Sequence, residues 1–146
     1  MKDRVLIGMV LAALLPTQAS AATWLCIPDM ASGLSYNTTL RKWGHAKFNV
    51  AGERFLVKES SVTDWEYEVR EFGKESVIPD AWCPKGPNEY GYMFCDGMYG
   101  QFKLNTKNLR YLRTYLAGYV EITPDSDMIK EGENTPFIEI GKCSKI

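Results

Sequence analysis

Four cysteines, Cys26, Cys83, Cys95 and Cys143, constrain this 146-residue chain more than any other feature. Their number is even, and no two stand at the C-x-x-C spacing that structural zinc or dithiol redox chemistry uses. Spacing therefore favours covalent cross-links, for which four cysteines allow three connectivities. Such cross-links persist only in an oxidising compartment, so the N-terminus decides how the cysteines are read. It opens with Lys2 and Arg4, runs apolar from Val5 to Leu15, breaks at Pro16 and reaches the small-residue site Ala19-Ser20-Ala21. This is the three-part pattern of a secretory signal peptide, and its apolar run is too short to span a bilayer. Cys26 is not a lipidation site on this reading, because "TWLC" lacks the small residues that precede a lipidated cysteine. The expectation is a signal peptide over 1–21 and a single β-rich domain over 22–146, exported to the periplasm or secreted.

A mature chain of about 125 residues is one domain's worth and buries roughly two-thirds of its unfolded surface. The formal net charge of the whole chain is −1 and no basic patch stands out, which argues against nucleic acid. No later segment is long and apolar enough to cross a membrane as a helix.

Local pattern then points to strands. "YGYMFC-DG-MYGQFKL" reads as a β-hairpin, with Asp96-Gly97 supplying the two φ > 0 positions of a type I′ turn. Pairing across that turn sets Cys95 opposite Met98, Met93 opposite Gly100 and Gly91 opposite Phe102, on a face that Leu104 continues. The other face carries Tyr90, Tyr92, Phe94, Tyr99 and Gln101. Cys95 falls on the aliphatic and sulfur-rich face, and Cys83 precedes a Pro/Gly loop that folds back towards it. The favoured pairing is Cys83–Cys95, with Cys26–Cys143 tying the ends together. On the loop-entropy model these contribute roughly 3 and 5 kcal/mol.

"DWEYEVREF" alternates Trp65, Tyr67 and Val69 against Glu66, Glu68 and Arg70, a half-buried strand with a solvated charged face. "ERFLVKE" places Phe55 and Val57 on one side. "TPFIEIGKC" sets Phe137 with Glu139 and Ile138 with Ile140, and its late position suits a closing strand. "SYNTTLRKW" and "KLNTKNLRYL" echo each other as two hairpin turns would, though too briefly for a repeat architecture. The segment from Asn105 to Tyr119 reads two ways. Leu109, Leu112 and Leu116 have helical spacing after an Asn105 cap, whereas a strand puts Tyr111, Tyr115 and Tyr119 on one face. Its strand-like neighbours favour the strand. The fold expected is all-β, a small disulfide-stapled barrel or sandwich; a helix near 106–117 would make it α+β.

The chain resembles small exported proteins of proteobacteria and their phages whose function is unassigned. The likeness rests on an early Cys26, "SGLSY" with a later Trp, "FKLN…LRYL", "GYV" and the terminal "TPFIEIGKC". A second likeness is to the membrane-bound inhibitors of C-type lysozyme, small disulfide-bearing β-barrels. Their loop motif, Ser-Gly-x-x-Tyr followed by Trp and Ala, is similar to Ser32-Gly33-Leu34-Ser35-Tyr36, Trp43 and Ala46. Here the motif comes early and the Gly-x-Glu-Ala that follows it in those inhibitors is missing. This resemblance implies an inhibitor-like role for Ser32, Gly33 and Tyr36.

Candidates for catalysis are few. His45 is the sole histidine, so any Ser-His or Cys-His machinery must use it, yet no G-x-S-x-G accompanies it. Glu66 and Glu68 on one strand face would stand about 7 Å apart, within the range of inverting glycosidase acids, but Arg70 continues that face. Asp125, Asp127, Glu131 and Glu133 gather acid as a calcium loop does, without the glycine and acidic positions of an EF-hand. An acidic turn is the simpler reading. Asn37-Thr38-Thr39 is a sequon, relevant only in a host that N-glycosylates. No cofactor or metal is expected. Tyr90, Tyr92, Phe94 and Tyr99 offer a binding surface if their face is exposed, against the plainer reading of a second covered face. The function that follows is a non-enzymatic exported module, binding or inhibitor-like, with an envelope protein or a glycan as partner. The alternatives are a small periplasmic hydrolase of cell-wall material and an accessory envelope component.

Overall fold

The computed structural model describes residues 22–117, 119–120 and 131–146. The signal peptide expected over 1–21 lies outside the described residues, as do Asp125 and Asp127. Among these residues nine strands form one antiparallel sheet: β1 (Trp24–Asn37), β2 (Lys42–Phe48), β3 (Phe55–Glu59), β4 (Tyr67–Glu71), β5 (Ala81–Cys83), β6 (Tyr92–Asp96), β7 (Gly100–Asn105), β8 (Arg110–Tyr115) and β9 (Phe137–Lys145). The order is β2-β1-β3-β4-β5-β6-β7-β8-β9, and β9 pairs back onto β1. Eight strands therefore close a barrel, and β2 remains outside the closure with one edge unpaired among the described residues. The fold is all-β, with no helix among the described residues. Nor is any described helix long and apolar enough to cross a membrane.

β1 makes the closure possible because it serves two neighbours in turn. Its first half pairs with β3, Cys26 opposite Phe55, and its second half pairs with β2, Ala31 opposite Phe48. The exchange falls where the β1–β9 register shifts, between Pro28 and Met30. A proline cannot donate to a ladder, and an extra residue bends a strand, so this is where one long strand leaves one partner for another.

The two turns that echo each other in sequence are the same turn in space. Asn37 pairs with Lys42 and Asn105 with Arg110, each closing a four-residue connection. In each the asparagine Oδ1 accepts from the backbone N–H groups of the turn: Leu40 at 2.8 Å in the first, Lys107 at 2.9 Å and Asn108 at 3.2 Å in the second. The residue four beyond takes a positive φ, 47° at Arg41 and 57° at Leu109. That reversal explains why the helical spacing after Asn105 does not become a helix. Asn105 does cap a turn, but the left-handed Leu109 stops propagation after one, and β8 begins.

The β6–β7 hairpin corrects the expected register. Cys95 pairs with Phe102, not Met98, and Met93 with Leu104. The connection runs over 97–100, and Gly97 is not in the left-handed region a type I′ turn requires. The glycines serve close approach instead. A Cβ on Gly97 would collide with the Asp80 carbonyl, and one on Gly100 with the Thr114 carbonyl. Because the register moved by an even number, the faces survive: Met93, Cys95, Phe102 and Leu104 are all buried.

Both favoured disulfides are present. Cys26–Cys143 joins β1 to β9 where the two residues face each other, and Cys83–Cys95 joins β5 to β6. They sit in a core with Trp24, Phe55, Val57, Val69, Phe102 and Tyr111. Aromatic rings fill the centre: Phe102 and Tyr111 stack at 4.8 Å, with Phe55 6.2 Å from Phe102 and 6.3 Å from Tyr111.

Two glutamates are buried against expectation. The charged face of β4 is not solvated at Glu68, which is 2 % exposed. On β9 the inner face carries Glu139, 1 % exposed, while Ile138 and Ile140 point outward and stay about half exposed.

Candidate functional site

The tyrosine-rich face is not covered by a second layer. Tyr92 on β6 is 48 % exposed and Phe94 is 53 % exposed, although their rings stack at 6.1 Å and 21°. Asn88 shapes the approach to them, its Oδ1 accepting from the N–H of Tyr90 at 3.0 Å and of Tyr92 at 2.9 Å. Tyr90 is exposed beside this pair. Tyr99 does not join them. It sits on the β6–β7 connection, edge-on to Tyr115 at 5.9 Å, and belongs to the barrel mouth. The four aromatics proposed as one face are thus two groups.

Beside the Tyr92–Phe94 stack, cross-strand pairing carries the outer surface from Phe94 to Lys103, from Lys103 to Leu112, and from Leu112 to Ile140. Arg110 stands opposite Lys142 one row along. A groove of about 460 Å³ follows these strands, with Tyr92, Lys103, Arg110, Leu112, Ile140 and Lys142 in its lining. Asp29 is its one acid among the described residues. The result is an exposed aromatic platform bordering three cations.

The inhibitor-like residues occupy strand β1 within the β1–β2 hairpin. The Ser32 hydroxyl donates to the Ala46 carbonyl at 3.1 Å. Gly33 lies tight against the Pro136 carbonyl. Tyr36 packs on Trp43 at 5.7 Å and against Gly132, and Trp43 in turn meets Tyr119 at 5.4 Å and donates its indole N–H to Glu131.

The catalytic candidates disperse. His45 is exposed on β2 opposite Leu34. Glu66 lies outside β4 and accepts the Gly86 N–H at 2.7 Å. Glu68 receives Arg70 Nε at 2.6 Å and Lys58 Nζ at 3.4 Å. Burial by itself pushes the Glu68 carboxyl up, but Arg70 and Lys58 outweigh it and hold the group below the usual carboxylate range. A carboxylate held ionised in this way is no proton donor. Among the described residues no three His, Cys, Asp or Glu gather as a metal site would.

Sequence reading missed the polar group inside the barrel. Tyr111 donates its hydroxyl to Glu139 Oε1 at 2.9 Å, and Arg113 Nε stands 3.9 Å from the same oxygen. Burial, the first cause, together with Glu53 raises the Glu139 carboxyl above the usual range despite Arg113 and Tyr111. Burial and then Glu139 raise the Tyr111 hydroxyl as well. The available signal was the alternation Tyr111, Arg113, Tyr115, which sets an arginine between two tyrosines on the inner face of β8.

The class defined by this geometry is a small closed β-barrel with two disulfides and an exposed aromatic platform. No family model, curated protein or solved structure matches the chain. Two buried disulfides with no free cysteine fit an oxidising, exported environment.

Proposed function

We propose that the chain is a non-enzymatic binding module of the cell envelope, periplasmic or secreted, that engages an acidic glycan through the outer face of β6–β9. The observation that carries this reading is the Tyr92–Phe94 stack, ordered ring on ring yet half open to solvent. Stiff aromatic planes take sugar rings, and their polar tips tolerate water. Lys103, Arg110 and Lys142 along the adjoining groove supply charge for carboxylate or phosphate substituents, opposed among the described residues by Asp29. The catalytic candidates lend no support to hydrolysis, since Glu68 is buried and engaged by Arg70 and Lys58 while Glu66 is taken up by the Gly86 N–H.

The test is retention of the protein on immobilised acidic and neutral polysaccharides, with Tyr92→Ala and Lys103→Ala alongside. Retention on the acidic matrix should fall roughly tenfold for each variant and weaken with added salt. Equal retention of wild type and both variants sinks the reading. Recovery of one envelope protein, dependent on Tyr92 and with no polysaccharide bound, replaces the glycan by a protein partner.

A further inference from the structure

The barrel is plugged at one end and hollow at the other. Trp24 and Tyr67 meet at 5.7 Å where β1 and β4 begin. At the opposite mouth, where β7 and β9 begin and β8 ends, lies a cavity of about 350 Å³. Its walls are chiefly apolar, with Val69, Ala81, Phe102, Tyr115 and Phe137 among them. Eight-stranded barrels are just wide enough either to be filled by side chains or to hold one small ligand. Among the described residues this one is filled to the level of Phe55, Phe102 and Tyr111 and open above it.

Arg113 stands at that level. Its guanidinium lies 4.5 Å above the Phe55 ring and 5.0 Å from the Phe137 ring, and it lines the cavity. The side chain is 24 % exposed. Among the described residues its one carboxylate within 4.0 Å is Glu139, 3.9 Å from Nε and too far for a good hydrogen bond, with Glu53 adjoining Glu139. Glu139 is in turn engaged by the Tyr111 hydroxyl. A guanidinium carries five donors in a planar fork, and an apolar recess is a poor place to leave them without acceptors. The rings fix the fork in place; they do not satisfy its donors.

We infer that the mouth of the barrel is a binding site for a small amphiphile with an apolar body and a single anionic head, the head received by Arg113 and the body by the ring- and aliphatic-lined wall. Asp80 also lines the cavity, and its Oδ2 accepts the Glu71 N–H at 2.7 Å. Tyr99 and Met98, exposed on the β6–β7 connection, form the rim. This site is separate from the outer face of β6–β9, and either can exist without the other.

Calorimetric titration of the full chain, both disulfides formed, with decanoate and with decanol tests it. The two probes share a tail and differ in the head. Decanoate should bind at least roughly tenfold tighter than decanol, the scale of one charge-assisted pair. Arg113→Met should abolish that preference while leaving decanol unchanged, and Arg113→Lys should restore part of it. Met98→Trp, at an exposed rim position, should weaken both probes and guards against misreading an unfolded Arg113 variant; thermal unfolding checks each protein. Tyr92→Ala should leave decanoate binding intact even where it removes polysaccharide retention. No binding of either probe at millimolar concentration, equal affinity for the two, or a decanoate affinity indifferent to Arg113→Met overturns the inference.

Discussion

Glu68 and Glu139 are both withdrawn from water, yet their surroundings drive them in opposite directions. Glu68 stands on the outer side of β4 between Lys58 on β3 and Trp82 on β5, and Arg70 at 2.6 Å and Lys58 at 3.4 Å keep it ionised. Glu139 stands inside the barrel, where the one arginine is 3.9 Å away, half committed to two aromatic rings, and Glu53 adds a second negative charge. The lesson is that depth alone does not set the state of a buried acid. What counts is whether a cation reaches it with hydrogen-bond geometry.

The largest expected effect tests whether the barrel closure imposes that contrast. Cys143 lies on β9 with Glu139, and Cys83 on β5 faces Tyr67, next to Glu68. Replacing Cys26 and Cys143 together by Ala should lower stability by about 2–5 kcal/mol, and replacing Cys83 and Cys95 by less, since the second loop is far shorter. Denaturant titration with both pairs compared gives the order, and the reverse order would show that closure is not held by the terminal link.

Next come the glutamates themselves. Glu68→Ala leaves Arg70 and Lys58 without their acceptor and should cost about 1–2 kcal/mol, discounted because both cations are partly exposed. Glu139→Gln keeps the shape and the Tyr111 hydrogen bond while removing an ill-matched charge. At pH 7 it should be neutral or stabilising by up to about 1 kcal/mol. Equal losses for the two would erase the distinction.

The pH dependence follows with opposite signs. The Glu68 pKa is lowered on folding, so its contribution is complete above the usual carboxylate range and disappears as pH falls through the lowered value. The Glu139 pKa is raised, so the folded state holds its proton longer. Stability is then lost as pH climbs from the usual range through the raised value, and is level beyond it. Melting temperature against pH should therefore lose its fall below the usual carboxylate range in Glu68→Gln and its fall above that range in Glu139→Gln. The smallest effect on the pH profile is expected from a control remote from both acids: Asn37→Ala, which removes the acceptor for the Leu40 N–H, should cost roughly 1 kcal/mol at every pH.

What the sequence made legible was local. The asparagine turns at Asn37 and Asn105 carry their chemistry within five residues, and both formed as hairpins. The inner faces of β6 and β7 were legible because alternation survives any even shift of register; the register itself depended on the approach of Asp80 and Thr114 to two glycines, which no short window contains. The Cys83–Cys95 link followed from those faces, and Cys26–Cys143 was the pair left to tie the two ends. The inward turn of Glu139 was not legible, because Tyr111, Arg113 and Glu53 come from other strands and loops. The exposure of Tyr92 and Phe94 was equally out of reach, since a covered sandwich face and the bare outside of a barrel have the same alternation.

A closed cylinder hides the hydrogen-bonding borders of its strands, and β2, standing outside the circuit, brings one back. Along that border the chain sets Lys42, His45 and Lys47, all with polar tips that discourage a visiting strand. If copies of this protein were ever to polymerise by adding strand to strand, β2 is where growth would begin, and its basic residues are the guard against it.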